Sequence, residues 1–205
     1  MEMAEFEDLL ETLKRAAGAL RDDDVPFLLG GGLAAWARGG PETEHDLDFM
    51  VRPEDARRAL NALEKAGFRV ENPPEGWLYK AWNGDVLVDV IFEPTGNPVD
   101  DAMFERGEEL EAHAISLRAM SLEDVMATKL LAMREHEVDY ESVLEIARAL
   151  REQIDWETVW NDTFESPFAR AFFYLAEQLG IIERRRASRG DSGSSRVPSE
   201  ASRRV

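Results

Sequence analysis

Phe27-Leu28-Leu29-Gly30-Gly31-Gly32-Leu33-Ala34-Ala35-Trp36-Ala37 decides the fold: a short apolar run, a stop of three glycines and a stretch of helical composition read as strand, tight turn and helix. Just beyond it, Asp46-Leu47-Asp48-Phe49-Met50-Val51 alternates, which predicts a strand with Asp46 and Asp48 on one face and Leu47, Phe49 and Val51 on the other. Arg52-Pro53-Glu54-Asp55 then starts a helix carrying Ala56, Leu60, Leu63 and Ala66, and Gly67 closes it. Upstream, Phe6, Leu9, Leu10, Leu13, Ala16, Ala17 and Leu20 recur at intervals of three and four, so residues 3–21 read as an amphipathic helix ended by Asp22-Asp23-Asp24-Val25-Pro26. Downstream, Phe68-Arg69-Val70 reads as a short strand. Leu78 to Trp82 and Val86 to Phe92 read as an antiparallel pair around Asn83-Gly84, the dipeptide that favours a type I′ turn.

Farther along, a turn-rich stretch leads to an edge strand over His113 to Leu117. Ser121-Leu122-Glu123-Asp124 then opens a helix that runs to about Glu135. The remainder reads as helical. Val143, Leu144, Ile146, Ala147 and Leu150 form one apolar stripe, Trp156, Val159 and Trp160 another, and Phe168, Phe172, Leu175, Ala176 and Leu179 a third. The outline is an α/β (α+β) domain over residues 1–118, a helical subdomain over 119–180 and a tail over 181–205.

The chain's 205 residues suit one domain with an appendage, and no apolar run approaches the ~18 residues that span a bilayer. The opening Met1-Glu2-Met3-Ala4-Glu5 lacks a basic, then apolar, leader, which points to the cytoplasm. With no cysteine, disulfides, thiolate metal sites and cysteine nucleophiles are excluded, leaving carboxylates and three histidines as candidate ligands. The net charge of -18 argues against extended contact with a nucleic-acid backbone. In the tail the sign reverses. Its seven arginines, with Ser and Gly and almost nothing apolar, predict a disordered arm.

Asp46 and Asp48 share a strand face, and Asp89 stands between Leu87 and Ile91 in the strand Val86-Leu87-Val88-Asp89-Val90-Ile91-Phe92. A carboxylate buried there without a partner costs several kcal/mol, so the position asks for a cation, a donor network or a cleft. If the two strands are neighbours, three carboxylates converge, and hard oxygen ligands suit Mg²⁺ or Mn²⁺. Gly31 and Gly32 either bring backbone N–H groups to a phosphate or simply make the tight turn.

On Gly31, Gly32, Asp46, Asp48 and Asp89 together, the sequence resembles the nucleotidyltransferase superfamily, in particular its minimal and AbiEii-like bacterial members. The resemblance implies a nucleotidyltransferase-like mixed sheet flanked by helices. It also implies transfer of an NMP from an NTP to a hydroxyl, with Asp46 and Asp48 holding the metals and Asp89 completing the site beside the acceptor. Ser121 through Ala132 resembles the helix that brings a lysine to the nucleotide phosphates, which gives that role to Lys129. Many members place a serine after the glycine where this chain has Gly32 and then Leu33, so phosphate binding would rest on backbone donors. Relatives use tRNA ends, small molecules or proteins as acceptors, and some are toxins, which makes an antitoxin a candidate partner.

Competing readings remain for single residues. Lys129, one of four lysines beside twenty arginines, is a phosphate ligand or a snorkelling surface group. Asp139 belongs to the site or caps a helix. Trp36, Trp77 and Trp82 stack on a base or pack in the core. His45 reads as a structural or rim residue, and His113 and His136 as surface residues. The competing function is a nucleotide-binding or interaction module on the same fold with little turnover.

Overall fold

In a computed structural model, residues 3–42, 46–112 and 115–183 are described. Helix α1 (Met3–Asp22) leads to β1 (Leu28–Leu29), α2 (Gly31–Trp36), β2 (Asp46–Met50), α3 (Pro53–Lys65), β3 (Arg69–Glu71), β4 (Leu78–Asn83) and β5 (Val86–Ile91). A 3-10 turn at residues 94–96 and the short α4 (Asp101–Arg106) precede β6 (Glu108–Ala112) and β7 (Ile115–Ala119). Four helices finish the chain: α5 (Leu122–Ala132), α6 (Tyr140–Leu150), α7 (Trp156–Thr163) and α8 (Pro167–Gln178). The strands form one mixed sheet in the order β3-β4-β5-β2-β1-β7-β6, parallel at β2–β5 and β1–β7 and antiparallel elsewhere. This is the mixed sheet flanked by helices that the sequence led us to expect.

Leu47, Phe49, Val88 and Val90 are fully buried with Leu9, Leu13 and Leu20 of α1 and Leu63 of α3, forming the first apolar cluster. A second cluster is built from Met126, Leu130, Val143, Ala147, Phe172 and Phe173, with Ala35 of α2 reaching into it. Arg38 ties the two regions together. Its guanidinium donates to the Ala34 and Met120 carbonyls and to Glu108, while Gln153 Nε2 donates to the Arg38 carbonyl. Among the described residues, no helix is long and apolar enough to cross a membrane.

Four local expectations need correction. β7 is an interior strand, and the edge is β6, whose Glu108, Glu109 and Glu111 carry no apolar signal beyond Leu110. The β4–β5 loop is Gly84-Asp85 rather than Asn83-Gly84, since Asn83 pairs with Val86. It is not a type I′ turn, because only Gly84 (φ 62°) takes the left-handed conformation that both central residues of that turn require. Helix α5 stops at Ala132, where Arg134 and Glu137 form a bridge. Ile181 and Ile182 belong to the second cluster, because Gly180 (φ 67°) turns the chain after α8 and buries them. The remainder of the expected disordered arm, from residue 184, lies outside the described residues, as do His45 and His113.

Candidate active site

The parallel pairing of β2 with β5 sets Asp48 opposite Asp89 and Leu47 opposite Val88. Asp46, Asp48 and Asp89 therefore leave one face of the sheet, while the apolar alternates fill the core beneath the other. Electrostatic crowding follows. Burial pushes the Asp48 carboxyl up to about 7, the charges of Asp46 and Asp89 add to the rise, and Lys129 and Lys80 oppose it. Asp89 is raised too, chiefly by burial, with Lys80 pulling it down and Asp46 adding to the rise.

Gly31, the first residue of α2, has φ 55°, and a Cβ on it would land on Asp48 Oδ2. The position therefore excludes any side chain unless the carboxylate moves. The Gly30 N–H donates to the Asp48 carbonyl at 2.8 Å, fixing the turn to β2. Ser121 caps α5, and Asp124 is held by the Ser121 hydroxyl and two bonds from Arg106 (2.9 and 2.7 Å), so the helix that carries Lys129 is anchored at its start.

Half-buried Lys129 stands where two hollows meet. The first, about 560 Å³, is lined by Gly31, Asp48, Trp77, Thr95, Lys129 and Arg134 among others. Thr95 holds the left-handed backbone (φ 58°) in its wall. The second hollow, about 480 Å³, is lined by Gly32, Glu42, Asp46, Lys129, Asp139 and Glu145 among others. All six residues singled out from the sequence, Gly31, Gly32, Asp46, Asp48, Asp89 and Lys129, are thus gathered in one region.

Asp139 caps α6, accepting from the Ser142 N–H at 3.1 Å and from its hydroxyl, and these bonds hold its carboxyl below the ordinary value. It also lines the hollow beside Lys129. Of the tryptophans, Trp36 packs edge-on against Phe6 and Trp82 lies under the Arg69 guanidinium, whereas Trp77, 39% exposed, lines the first hollow. His136 is exposed.

Lys80 is the site residue that sequence reasoning missed. It pairs across β4–β5 with Asp89, and its Nζ lies 3.6 Å from Asp89 Oδ1. The available signal was the hairpin register. A loop of Asn83-Gly84 would have set Leu78 opposite Asp89, and the one-position shift of the turn puts Lys80 there instead.

A family model described as "uncharacterised nucleotidyltransferase" matches residues 5–180. The chain belongs to this nucleotidyltransferase family. It is a transferase, and its fold recurs in known structures. The antibiotic-resistance factor ANT(2'')-Ia, in its solution structure, is 16% identical with a TM-score of 0.62 over 86% of this chain and 99% of that one. A crystal structure of ANT(2'')-Ia in complex with adenylyl-2''-tobramycin is 17% identical with a TM-score of 0.59, over 82% and 98%. A putative nucleotidyltransferase from H. pylori is 13% identical with a TM-score of 0.53, over 88% and 83%. At these identities the likeness is one of fold. Among proteins with curated descriptions, none matches this nucleotidyltransferase in sequence.

Proposed function

We propose that this nucleotidyltransferase moves an NMP from an NTP to the hydroxyl of a small acceptor, at Asp46, Asp48 and Asp89, with Mg²⁺ or Mn²⁺. The observation that carries the reading is the Asp48–Asp89 register pair, with Asp46 on the same face and Gly31 closing against Asp48. The donor set fits a hard divalent ion. Its ligands are all carboxylate oxygens, and Asp89 Oδ1 is buried and accepts no hydrogen bond. Among the described residues, no three acidic or histidine side chains stand close enough together to form a ready metal cage. Asp46, Asp48 and Asp89 would hold the metal, which when bound supplies Lewis-acid polarisation of the phosphoryl oxygens.

The chain's own groups do the rest. Lys129 presents a point charge to the phosphates from between the two hollows, and Trp77 offers a ring face for a base. Asp89 stands beside the acceptor hydroxyl. That oxygen bonds to the α-phosphorus as the bond to pyrophosphate breaks, and the hydroxyl proton is released. Glu42, Asp139 and Glu145 in the second hollow, together with the net charge of -18, favour a positively charged small acceptor over a polynucleotide. The crystal structure of ANT(2'')-Ia holds adenylyl-2''-tobramycin, a small molecule that already carries an adenylyl group.

The test incubates the protein with each α-labelled NTP, Mg²⁺ or Mn²⁺, and aminated sugars or RNA. Labelled aminated acceptor with pyrophosphate release, both lost in Asp46→Asn and Asp48→Asn, is the expected result. Metal-dependent NTP binding without transfer to any acceptor would favour the binding module instead. Leu33 motivates that second reading, since it is buried and brings no hydroxyl to the glycine turn.

A further inference from the structure

Asp89 is half-buried, yet one of its oxygens has an unusual neighbourhood. Its side chain is 14% exposed, its Oδ1 accepts no hydrogen bond, and its partner Lys80 stands off at 3.6 Å. The pairs Lys65–Asp23 and Arg106–Asp124 close to 2.6 and 2.7 Å. The Lys80 side chain is 29% exposed, twice as much as that of Asp89, so the cation has the more open path to solvent. The chain uses lysine here although it has only four lysines beside twenty arginines. A guanidinium would grip the carboxylate with a rigid fork, whereas an ammonium on a flexible stem comes and goes.

We propose that Lys80 is the resident cation of the metal site: its ammonium neutralises Asp89 until a divalent ion arrives, and metal loading displaces it toward solvent. The inference rests on the reading that Asp48 and Asp89 bind divalent metal. Cross-strand register holds Lys80 opposite Asp89 whatever the rotamer of its side chain, so a displaced ammonium stays within reach and returns when the ion leaves. A carboxylate with a buried oxygen is thereby never left without a counter-charge, which would be costly. Lys80 thus sets how tightly the site holds metal, as a positioning residue that acts through Asp89.

The experiment follows free Mn²⁺ by electron paramagnetic resonance while the full chain is titrated, without nucleotide. Wild type, Lys80→Met, Lys80→Arg and Asp48→Asn are compared. Lys80→Met removes the competing charge and keeps the stem, and it is expected to bind Mn²⁺ about tenfold more tightly than wild type. Lys80→Arg, which keeps the charge, is expected to show no such gain. Asp48→Asn is expected to lose Mn²⁺ binding. A Lys80→Met affinity equal to or below wild type, with binding still lost in Asp48→Asn, overturns the proposal alone. A gain in Lys80→Arg as large as in Lys80→Met also overturns it, because charge would not be the cause. Wild-type affinity in Asp48→Asn overturns the metal site and the proposal with it. Should Lys80→Met fail to fold, Lys80→Gln gives the same reading.

Discussion

Asp48 is held against its own chemistry. Unfolded, it ionises near 3.8; folded, at about 7. Between those values only the unfolded chain has released the proton, so the folded state loses stability as pH rises, and above about 7 the whole penalty is present. An amide has no proton to lose. Asp48→Asn is therefore expected to melt above the parent in chelator at pH values over 7, with the gap closing as pH falls toward 3.8. Calorimetry at stepped pH reads both. A gap that did not vary with pH would mean that ionisation of the buried, crowded Asp48 is not its origin. Gly31 makes a second residue-scale case. Gly31→Ala should cost about 1–2 kcal/mol in urea denaturation from the left-handed backbone alone. It should also weaken Mn²⁺ binding, because its methyl displaces the Asp48 carboxylate. Denaturation and metal titration of one sample separate the two effects.

At the scale of the element, α5 decides whether the helical half takes part in chemistry. Lys129→Ala should weaken binding of a nonhydrolysable NTP, with the deficit shrinking as salt rises, because wild type has a Coulomb contribution left to lose. Titration at two ionic strengths measures it, and equal affinities would leave Lys129 a surface group. Strand alternation makes β2 and β5 legible from the residues alone, and with them the shared face of Asp46 and Asp48. That the two strands lie side by side is not legible, since pairing is settled by the whole sheet and not by either strand. β6 is hidden because three of its five residues are glutamates, whose strand preference is poor. Lys80 is hidden for a subtler reason. Asn83-Gly84 is such a strong turn signal that it outweighs the neighbouring Gly84-Asp85, and a one-position error in the loop changes every cross-strand partner. The double service of Asp139, helix cap and wall of a hollow, needs the fold to bring α6 up to Lys129.

For the molecule as a whole, a net charge of -18 is carried on a single chain with two apolar clusters. Self-repulsion of that size weakens the compact state and is screened by salt. Raising sodium chloride in the presence of chelator should therefore lift the melting temperature by a few degrees, an amount that corresponds to about 1 kcal/mol for a chain of this length. A fall would indicate that ion pairs such as Arg106–Asp124 outweigh the repulsion. Arg38 stands at the junction of the two clusters: its side chain, only 5% exposed, bonds to α2, β6 and the segment after β7, and Gln153, beyond α6, donates to its carbonyl.

The glutamates of β6 do more than obscure a strand. β6 and the three-residue β3 are the two outermost strands of the sheet, and β3 reads Arg69-Val70-Glu71. A stray strand from another molecule that tried to extend the sheet would have to line up beside charge at either border. The acidity that conceals β6 in the sequence thus acts as a fence around the ladder, keeping crowded copies of the chain from zipping together.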